Sequence, residues 1–412
     1  MSDRDPQTSI QRGKWFVLSV VFLDMVGIGI AFPAVPIFLE LFVETRAQQA
    51  QWFGIIAASY GLMQFLCAPV LGAVSDRFGR RVVLIAALIG LGFHYIIIAT
   101  AVSVWIVLLA RMIGGITGAS FSVANAYLAD VSTPEDRAKN FGMVGAAFGL
   151  GFIFGPAIGG LLGEIDPYLP FYVAAALSFA NAFYGYLVVP ESLPHENRTA
   201  FSFTKCNPFR SLANLVRSNA VGSLVIAFAL FTLAHMMMIQ TWVLYTRFRF
   251  NWGTFENGLL LACVGLLSLI VQGGLIGRLV KRFGEERLAL TAIGVNVFVQ
   301  IAYGTAQSGW MMYPILFCGF LIFTAGPAMQ GVVSKATDAS AQGVTLGSMQ
   351  SINSLALVFG PLMGNWILKQ VADLPPTDVR IGASFFFCAA LNTAAFILLA
   401  WRLRKSAVSS KL

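Results

Sequence analysis

The sequence predicts an all-α integral membrane protein with twelve transmembrane helices in two pseudo-symmetric six-helix halves. Composition is the first reason: 57% of the 412 residues are hydrophobic, 11% are charged and the mean hydropathy is +0.76. A typical soluble domain carries about 25% charged residues. The second reason is a row of apolar segments of bilayer length. The third is a short charged motif that recurs half a chain later.

Twelve apolar segments have the length of a membrane-spanning helix, which needs about 20 residues. We expect spans at 15–38, 52–74, 82–101, 104–126, 140–162, 168–189, 220–243, 256–279, 288–307, 310–333, 343–367 and 381–403. A polar stretch separates the first six from the last six. We therefore predict an N-terminal half at 1–189, a cytoplasmic linker at 190–218 and a C-terminal half at 219–412.

The recurring motif is a charged loop that follows the second and the eighth spans. The segment Gly72–Arg81 has the sequence GAVSDRFGRR, and Gly277–Glu286, 205 residues later, has GRLVKRFGEE. Two membrane halves with the same short loop in the same place indicate an internally repeated transporter. A helix-capping turn of a soluble protein is the alternative interpretation, but the bilayer-length neighbours and the recurrence disfavour it.

The distribution of basic residues predicts the orientation. With both termini on one side, that side holds 21 of the 27 Lys and Arg residues; the other side holds Arg46, Arg247, Arg249, Lys369 and Arg380, and Arg111 lies inside a span. The positive-inside rule then places both termini in the cytoplasm. The net charge of +8 therefore reflects membrane topology, and we expect no nucleic-acid partner.

Motifs that the sequence lacks exclude several classes of function. The five Cys residues form no CxxC pair, so we expect them to be packing residues, with neither a disulfide framework nor a metal site. A GxxxxGK[ST] segment for ATP is absent. The first span lacks a small-residue cleavage site and is expected to act as an uncleaved signal anchor.

Asp24 is the only acid, and Arg111 the only Lys or Arg, in the interior of the predicted spans. A charge at this depth must be paired, hydrated or neutralised, so each must face protein or water. A carboxyl group that changes protonation as the site opens to either side is what proton coupling requires. A structural acid or a structural arginine, bonded only to neighbouring helices, is the alternative for each.

Polar uncharged side chains inside the spans are further candidates, because a polar group that faces lipid stays unsatisfied. Tyr60 and Gln64 have i, i+4 spacing and share one face of the second span. We predict that they line a substrate cavity with six amide side chains: Asn125, Gln240, Gln272, Asn296, Gln330 and Asn353. Whether each contacts substrate or only bonds a neighbouring helix is open at this stage.

Three motifs together resemble the major facilitator superfamily, and in particular the bacterial tetracycline/proton antiporters. They are GxxxDRxGRR after the second span, LARMIGGITGASFSVANAYLAD in the fourth, and the Gly/Pro-rich GAAFGLGFIFGPAIGG at 145–160 in the fifth. Further similar stretches, LDMVGIGIAFPAVP (23–36), YGLMQFLCAP (60–69) and WVLYTRFRFNW (242–252), extend the resemblance over nearly the whole chain.

The resemblance implies the major facilitator fold and a proton-coupled antiporter that exports small amphipathic compounds by alternating access. It implies a monomer in the bacterial inner membrane, surrounded by lipid and powered by the proton gradient without a cofactor. It also places Asp24 in the central cavity and Arg111 in the proton-coupling motif of the fourth span. An importer or symporter on the same fold is the first alternative. A membrane enzyme or receptor is the second, and the short loops disfavour it.

The resemblance further implies a cytoplasmic ion-pair cluster that latches one half against the other in the outward-facing state. Its expected members are Gly72, Asp76, Arg77, Gly79, Arg80, Arg81, Asp130 and Arg137. Arg80 and Arg81 as simple topology determinants are the alternative. The antiporter motif of the fifth span contributes Gly145, Gly149, Gly155, Pro156, Gly159 and Gly160. These residues let a helix bend and approach its partners closely.

Three positions depart from the resembled exporters, which carry acids at the places of His94 and Asn296 and a His at the place of Ser268. His94 can still change charge near physiological pH, so we group it with Asp24 and Arg111 as a proton-coupling candidate. A satisfied core histidine is the alternative. A site with fewer acids holds a cationic or metal-chelated substrate less well, which predicts a weak fit for tetracycline itself.

Overall fold

The computed structural model describes residues 6–133, 136–199, 222–337 and 342–409. These ranges are helical apart from short connections, and no strand occurs within them. In chain order the α-helices are α1 (Pro6–Phe38), α2 (Arg46–Phe78), α3 (Arg80–Ala99), α4 (Val104–Gly118), α5 (Ser120–Asp130), α6 (Arg137–Ile165), α7 (Leu169–Val188), α8 (Gly222–Phe250), α9 (Thr254–Ile270), α10 (Ile276–Phe283), α11 (Glu285–Thr305), α12 (Met312–Cys318), α13 (Ile322–Lys335), α14 (Gln342–Val371) and α15 (Ala383–Ser409).

The predicted number of spans agrees with the helices of the described ranges. Eleven helical segments are long and apolar enough to cross a membrane, and Gly309–Cys318 with Ile322–Lys335 forms a twelfth candidate bent by 41°. The break follows Gly319, whose missing side chain leaves room for Val299. The eighth span is continuous from Thr254 to Phe283 through a π-helical turn at Val271–Leu275. The predicted fold class, an all-α membrane protein, is confirmed.

The recurring motif differs from its prediction, because most of it is helix rather than loop. α2 continues to Phe78, and a single residue, Gly79, separates it from α3; Gly284 likewise separates α10 from α11. Both glycines have positive φ, +104° and +75°. A positive φ reverses the chain direction at the end of a helix at no steric cost only when the residue is glycine. The motif is therefore a helix–glycine–helix corner whose charges lie on helix ends.

The described chain forms two compact units. The first comprises Met1–Phe42, Ser59–Asn207 and Gly253–Leu266, and the second comprises Val43–Ala58, Pro208–Trp252 and Leu267–Leu412. The core of the first unit packs residues of α1, α3, α5 and α6 around the fully buried Tyr127. The core of the second packs α8, α11, α13 and α14 around Met329 and Val333. The predicted linker lies outside the described residues from position 200 to its end at 218.

The segment at 242–252 ties together the connections at one end of the second unit. Arg249 is 4% exposed. Its Nε donates to the carbonyl of Ala306 at 3.0 Å, and its Nη1 donates to the carbonyl of Asp378. The Tyr245 hydroxyl donates to the carbonyl of Tyr303 at 2.6 Å. The segment 242–252 therefore has a structural role, because these bonds join α8 to the end of α11 and to the connection that precedes α15.

The fifth span, α6, uses its glycines for two different purposes. Gly151, Gly155 and Gly159 lie against the backbone of α1, and an added Cβ on Gly155 would come within 2.7 Å of Gly29 Cα. Gly160 lies against Thr254 and Gly258 at the start of α9. Gly145 and Gly149 have open space beside them. Within the first unit, the Gly/Pro-rich motif is thus closely packed from Gly151 onwards.

Replacement of Gly155 by Val should destabilise the first unit, because the new side chain meets backbone that cannot move aside. Overpacking of this kind costs about 1–3 kcal/mol, so the thermal unfolding temperature of the purified protein should fall by several degrees. Gly142→Val is the matched control, since Gly142 lies on the same helix with nothing within 4 Å. Equal melting temperatures for the two variants would contradict the close approach of α1 and α6.

Candidate functional site

Asp24 lies inside the first unit, on α1, where it borders a small cavity. The cavity has a volume of about 20 Å³ and is otherwise lined by apolar side chains and glycine from α1, α3, α4 and α5. A buried water needs about 10–15 Å³ of such volume, so there is room for about one. The Oδ1 atom of Asp24 is buried and accepts no hydrogen bond from the described residues. Asp24 is half-buried as a residue, and its Oδ1 atom lacks a partner that would fix the charge of the carboxyl group.

Arg111 of α4 faces the same interior but does not form an ion pair with Asp24. The ion pairs of the described residues do not include these two. The guanidinium of Arg111 lies over the ring of Tyr60, 4.9 Å from its centroid, where the π face attracts a cation. Its Nε is buried and donates to no described group. Asp24 and Arg111 are therefore not neutralised by direct contact with one another.

Two tyrosines lie close enough to Asp24 and to Arg111 to interact with both. Tyr60 of α2 and Tyr95 of α3 each interact electrostatically with both Asp24 and Arg111. Tyr60 reaches this place because Gly115 and Gly118 of α4 have no side chains, and its carbonyl and hydroxyl lie where their Cβ atoms would be. Gln64, one turn further along α2, donates to the carbonyl of Gly118 at 3.3 Å. Tyr60 and Gln64 thus both face the fourth span.

Asn181 of α7 is a polar neighbour of Asp24 that the sequence reasoning missed. It is fully buried, and its Nδ2 donates to the carbonyl of Val20 at 3.3 Å. Val20 is one turn before Asp24, so the amide is fixed beside the turn that carries the acid. The amide interacts with the Asp24 carboxyl, although the contact does not reach standard hydrogen-bond geometry. Its position between Phe179 and Phe183 in an apolar helix was the available signal, since a buried amide needs a partner.

His94 is enclosed between α3 and α4. It is 1% exposed, its Nδ1 lies 2.6 Å from the carbonyl of Ala110, and its ring packs on Tyr95. Because a carbonyl only accepts, Nδ1 must carry the hydrogen. Gly114 leaves the ring its space, since a Cβ there would lie 2.7 Å from the imidazole. This placement favours the satisfied core histidine, although Arg111 is near enough to act on it electrostatically.

In the second unit, Asn296 belongs to a buried amide network. Its Nδ2 donates to Asn392 Oδ1 at 3.3 Å, and its own Oδ1 accepts from Gln300 Nε2 at 3.4 Å. Asn392 in turn donates to the carbonyl of Cys388 at 2.9 Å. All three amides are at most 4% exposed. The network joins α11 to α15, so Asn296 hydrogen-bonds a neighbouring helix at the position where the resembled exporters carry an acid.

The remaining amide candidates are divided between the two units. Asn125 of α5, Gln240 of α8 and Asn353 of α14 are partly buried, whereas Gln272 and Gln330 are exposed. Gln272 lies in the π-helical turn and donates to Ser268 Oγ at 2.7 Å. Of the predicted cavity residues, Tyr60 and Gln64 lie together on α2 within the first unit.

The predicted latch residues meet around Arg80 at one end of the first unit. Arg80 Nη1 lies 2.6 Å from Asp76 Oδ1 and 2.5 Å from Ser75 Oγ, and Arg80 Nε lies 3.3 Å from Asp130 Oδ2. Ser75 Oγ donates to the carbonyl of Gly72 at 2.7 Å. Five of the predicted members thus come together, counting Gly79 beside them.

The other basic members of the predicted latch have different places. Arg81 donates to the carbonyl of Tyr186 at 2.6 Å, which ties α3 to the end of α7. Arg77 is exposed and lies over the ring of Phe78. The side chain of Arg137 lies outside the described residues. Every latch contact seen here is internal to the first unit.

Comparison with known proteins shows the family of this chain. The family model of the Major Facilitator Superfamily matches residues 17–361. The class C tetracycline resistance protein of Escherichia coli is 38% identical over 84% of this chain and 87% of its own length. The class B protein of Escherichia coli is 35% identical over 92% and 95%. The crystal structure of the human organic anion transporter MFSD10 (TETRAN) matches with a TM-score of 0.69 at 24% identity, covering 96% of this chain and 100% of that one. The chain therefore belongs to the Major Facilitator Superfamily of membrane transporters, and it is similar within that superfamily to the bacterial tetracycline resistance proteins.

Proposed function

We propose that this chain is a proton-coupled antiporter that exports small amphipathic compounds by alternating access. The observation that carries the proposal is Asp24, whose buried Oδ1 atom has no hydrogen-bond partner among the described residues and which borders a water-sized cavity. Similarity to tetracycline resistance proteins supports export as the direction. Energy comes from the proton gradient, and no cofactor is needed.

The mechanism follows from the Oδ1 atom of Asp24, which has no hydrogen-bond partner in the described part of the chain. An ionised carboxylate in the membrane interior is costly, so it either binds a proton or draws a cation towards it. Arg111, held on the ring of Tyr60 rather than on Asp24, is a cation that can approach when the proton leaves. Asn181 holds the turn of α1 that carries the acid. Proton release and substrate entry can thus alternate at one site.

The topology that we propose has two six-helix halves, at 1–189 and 219–412, joined by the linker 190–218. The excess of Lys and Arg on one side supports cytoplasmic termini. Similarity to bacterial exporters supports the inner membrane. We propose that the protein works as a monomer surrounded by lipid, with a small molecule and protons as its ligands.

The substrate that we propose is neutral, anionic or more apolar than a tetracycline–metal chelate. His94 and Asn296 stand where the resembled exporters carry acids, and both are hydrogen-bonded to neighbouring helices. Loss of an acid from a cavity of low dielectric constant weakens cation binding by about a few kcal/mol. Asp24 alone then supplies negative charge in the interior of the predicted spans.

Replacement of Asp24 by Asn should abolish proton-driven transport and leave the protein folded, because the amide keeps the shape of the carboxyl group but cannot exchange a proton. Everted membrane vesicles provide the measurement, since addition of substrate to an exporter should release protons from the lumen. Asp166→Asn, at an exposed acid of the same unit, is the matched control. Wild-type transport against a gradient by the Asp24 variant would remove Asp24 from the coupling mechanism. Proton movement of the opposite sign in the wild type would identify an importer.

The unmodified protein should confer at most weak tetracycline resistance on a pump-deficient host. Asn296→Asp should raise that resistance, because rotation of the Asn392 amide can supply a donor to the new carboxylate. His94→Asp should instead lower the amount of folded protein, since the acid would face the carbonyl of Ala110. Minimum inhibitory concentrations and membrane protein levels test both. Strong resistance from the unmodified chain would contradict the argument from the missing acids.

Loss of the Arg80 ion pairs should slow transport without preventing substrate binding. Arg80→Ala removes the cation and with it both ion pairs, and Asp76→Asn removes the charge of the shorter pair. Maximal transport rate and substrate affinity, measured separately in proteoliposomes, distinguish the outcomes. Weaker affinity at an unchanged maximal rate would assign these residues to substrate binding instead.

A further inference from the structure

The first turn of α3 lacks the acidic and capping residues that usually stabilise the start of a helix. The first N–H groups of a helix lack partners, and the helix dipole makes that end positive. α3 begins with two cations, Arg80 and Arg81, has no acid in its first turn, and is preceded by Gly79, which offers no capping side chain. Both local features are therefore unfavourable for a helix start.

Glu191 supplies the missing cap from 110 residues further along the chain. Its Oε1 accepts from the Arg80 backbone N–H at 2.8 Å, and its Oε2 accepts from the Arg81 backbone N–H at 3.3 Å. The same carboxylate accepts from the N–H groups of Ser192 and Leu193 at 3.1 and 3.2 Å. A carboxylate at a helix start is favoured both by these bonds and by the dipole.

Gly79 is shaped to admit this carboxylate. The Glu191 side chain occupies the position that a Cβ on Gly79 would take, and the Arg198 guanidinium lies 3.0 Å from that position. The positive φ of Gly79 makes the corner, and its missing side chain leaves space for the cap. One residue of the motif thus meets two separate requirements.

The segment Pro190–Thr199, here called the strap, touches both acids that bind Arg80. The Ser192 hydroxyl donates to Asp130 Oδ2 at 3.1 Å, and the Thr199 N–H donates to the carbonyl of Asp76 at 3.1 Å. The Tyr127 hydroxyl fixes the start of the strap by donating to the carbonyl of Pro190 at 2.9 Å. The strap, the start of α3 and the latch are therefore one hydrogen-bonded assembly.

The second unit shows why an outside acid is needed in the first. The offset of 205 residues maps Arg80 onto Glu285 and Asp130 onto Lys335. Lys335 Nζ lies 3.0 Å from Glu285 Oε2, in an ion pair that lacks hydrogen-bond geometry. The ion pair therefore recurs with its charges reversed. Glu285 is both the latch-equivalent charge and a first-turn acid of α11. Arg80 is a cation and cannot act as the first-turn acid of α3, so that acid has to come from another part of the chain.

From this geometry we propose that Glu191 is a positioning residue for transport, which caps α3 and so holds Arg80 between Asp76 and Asp130. The proposal rests on the proposed transport function. Without the cap, the first turn of α3 opens more often, and the Arg80 side chain leaves its two acids. The latch then loses its geometry although every latch residue is still present.

Glu191→Gln tests the proposal in the full-length protein reconstituted into proteoliposomes. The variant keeps the shape of the side chain and loses the charge. Because loss of a helix cap corresponds to a severalfold change in an equilibrium, we expect the maximal transport rate to fall about threefold or more at unchanged substrate affinity. Hydrogen exchange of the amides at the start of α3 should become faster. Glu196→Gln, at an exposed acid of the strap, is the matched control and should change neither.

The combination of exchange rate and transport rate distinguishes the possible roles of Glu191. Faster exchange with an unchanged transport rate would leave Glu191 as a structural cap and overturn its positioning role. Unchanged exchange would overturn the cap itself, and weaker substrate affinity at an unchanged rate would assign Glu191 to the substrate path. If Glu191→Gln does not fold, Glu191→Asp, which is too short to reach both amides, replaces it. Absence of proton-coupled export by the wild type would reject the proposed function, while the exchange measurement would still test the cap.

Discussion

The structure depends on one constraint: inside a bilayer, every polar group must find its partner within the protein. Most polar side chains of the spans satisfy it with a backbone carbonyl of their own or a neighbouring helix, as Gln64, His94 and Asn392 do. Asp24 and Arg111 do not, since each keeps a buried atom without a partner. Asn181, Gln300 and Asn365 also keep a buried oxygen without a partner among the described residues. Asp24 and Arg111 differ from them because they can carry a charge, and an unsatisfied charge at this depth is costly.

Glycine makes this arrangement sterically feasible. Gly115 and Gly118 let α2 bring Tyr60 against α4, Gly114 makes room for the imidazole of His94, and Gly155 lets α1 approach α6. The ring of Tyr60 then provides a face for the guanidinium of Arg111. The positions of the charged groups are therefore consequences of where side chains are missing, and a functional account of the fourth and fifth spans has to include their glycines.

The sequence predicted the features that depend on residues close together in the chain. The spans follow from apolar runs of bilayer length, Asp24 and Arg111 from their isolation in such runs, and Arg80, Asp76 and Asp130 from a motif. It missed features set by distant contacts. Glu191 looked like one charge of a polar linker, because the amides it caps are 110 residues away in sequence. The hydrogen bond from Asn296 to Asn392 was not predicted either, because the two residues are 96 positions apart in sequence. The helical continuation to Phe78 was missed because charged residues in a short segment also fit a loop.

The reversed ion pairs of the two units connect these observations. An internal repeat preserves the corner glycine and the place of the salt bridge, but the polarity of the bridge is free to change, since either sign gives the same attraction. The helix dipole removes that freedom, because it favours an acid at the helix start. The second unit satisfies both demands with Glu285. The first unit, with Arg80 at that position, needs a separate acid, and the strap that supplies it follows the sixth span of the same unit. Because Arg80 is basic where its repeat equivalent Glu285 is acidic, Glu191, just after the sixth span, has to supply the acid at the start of α3.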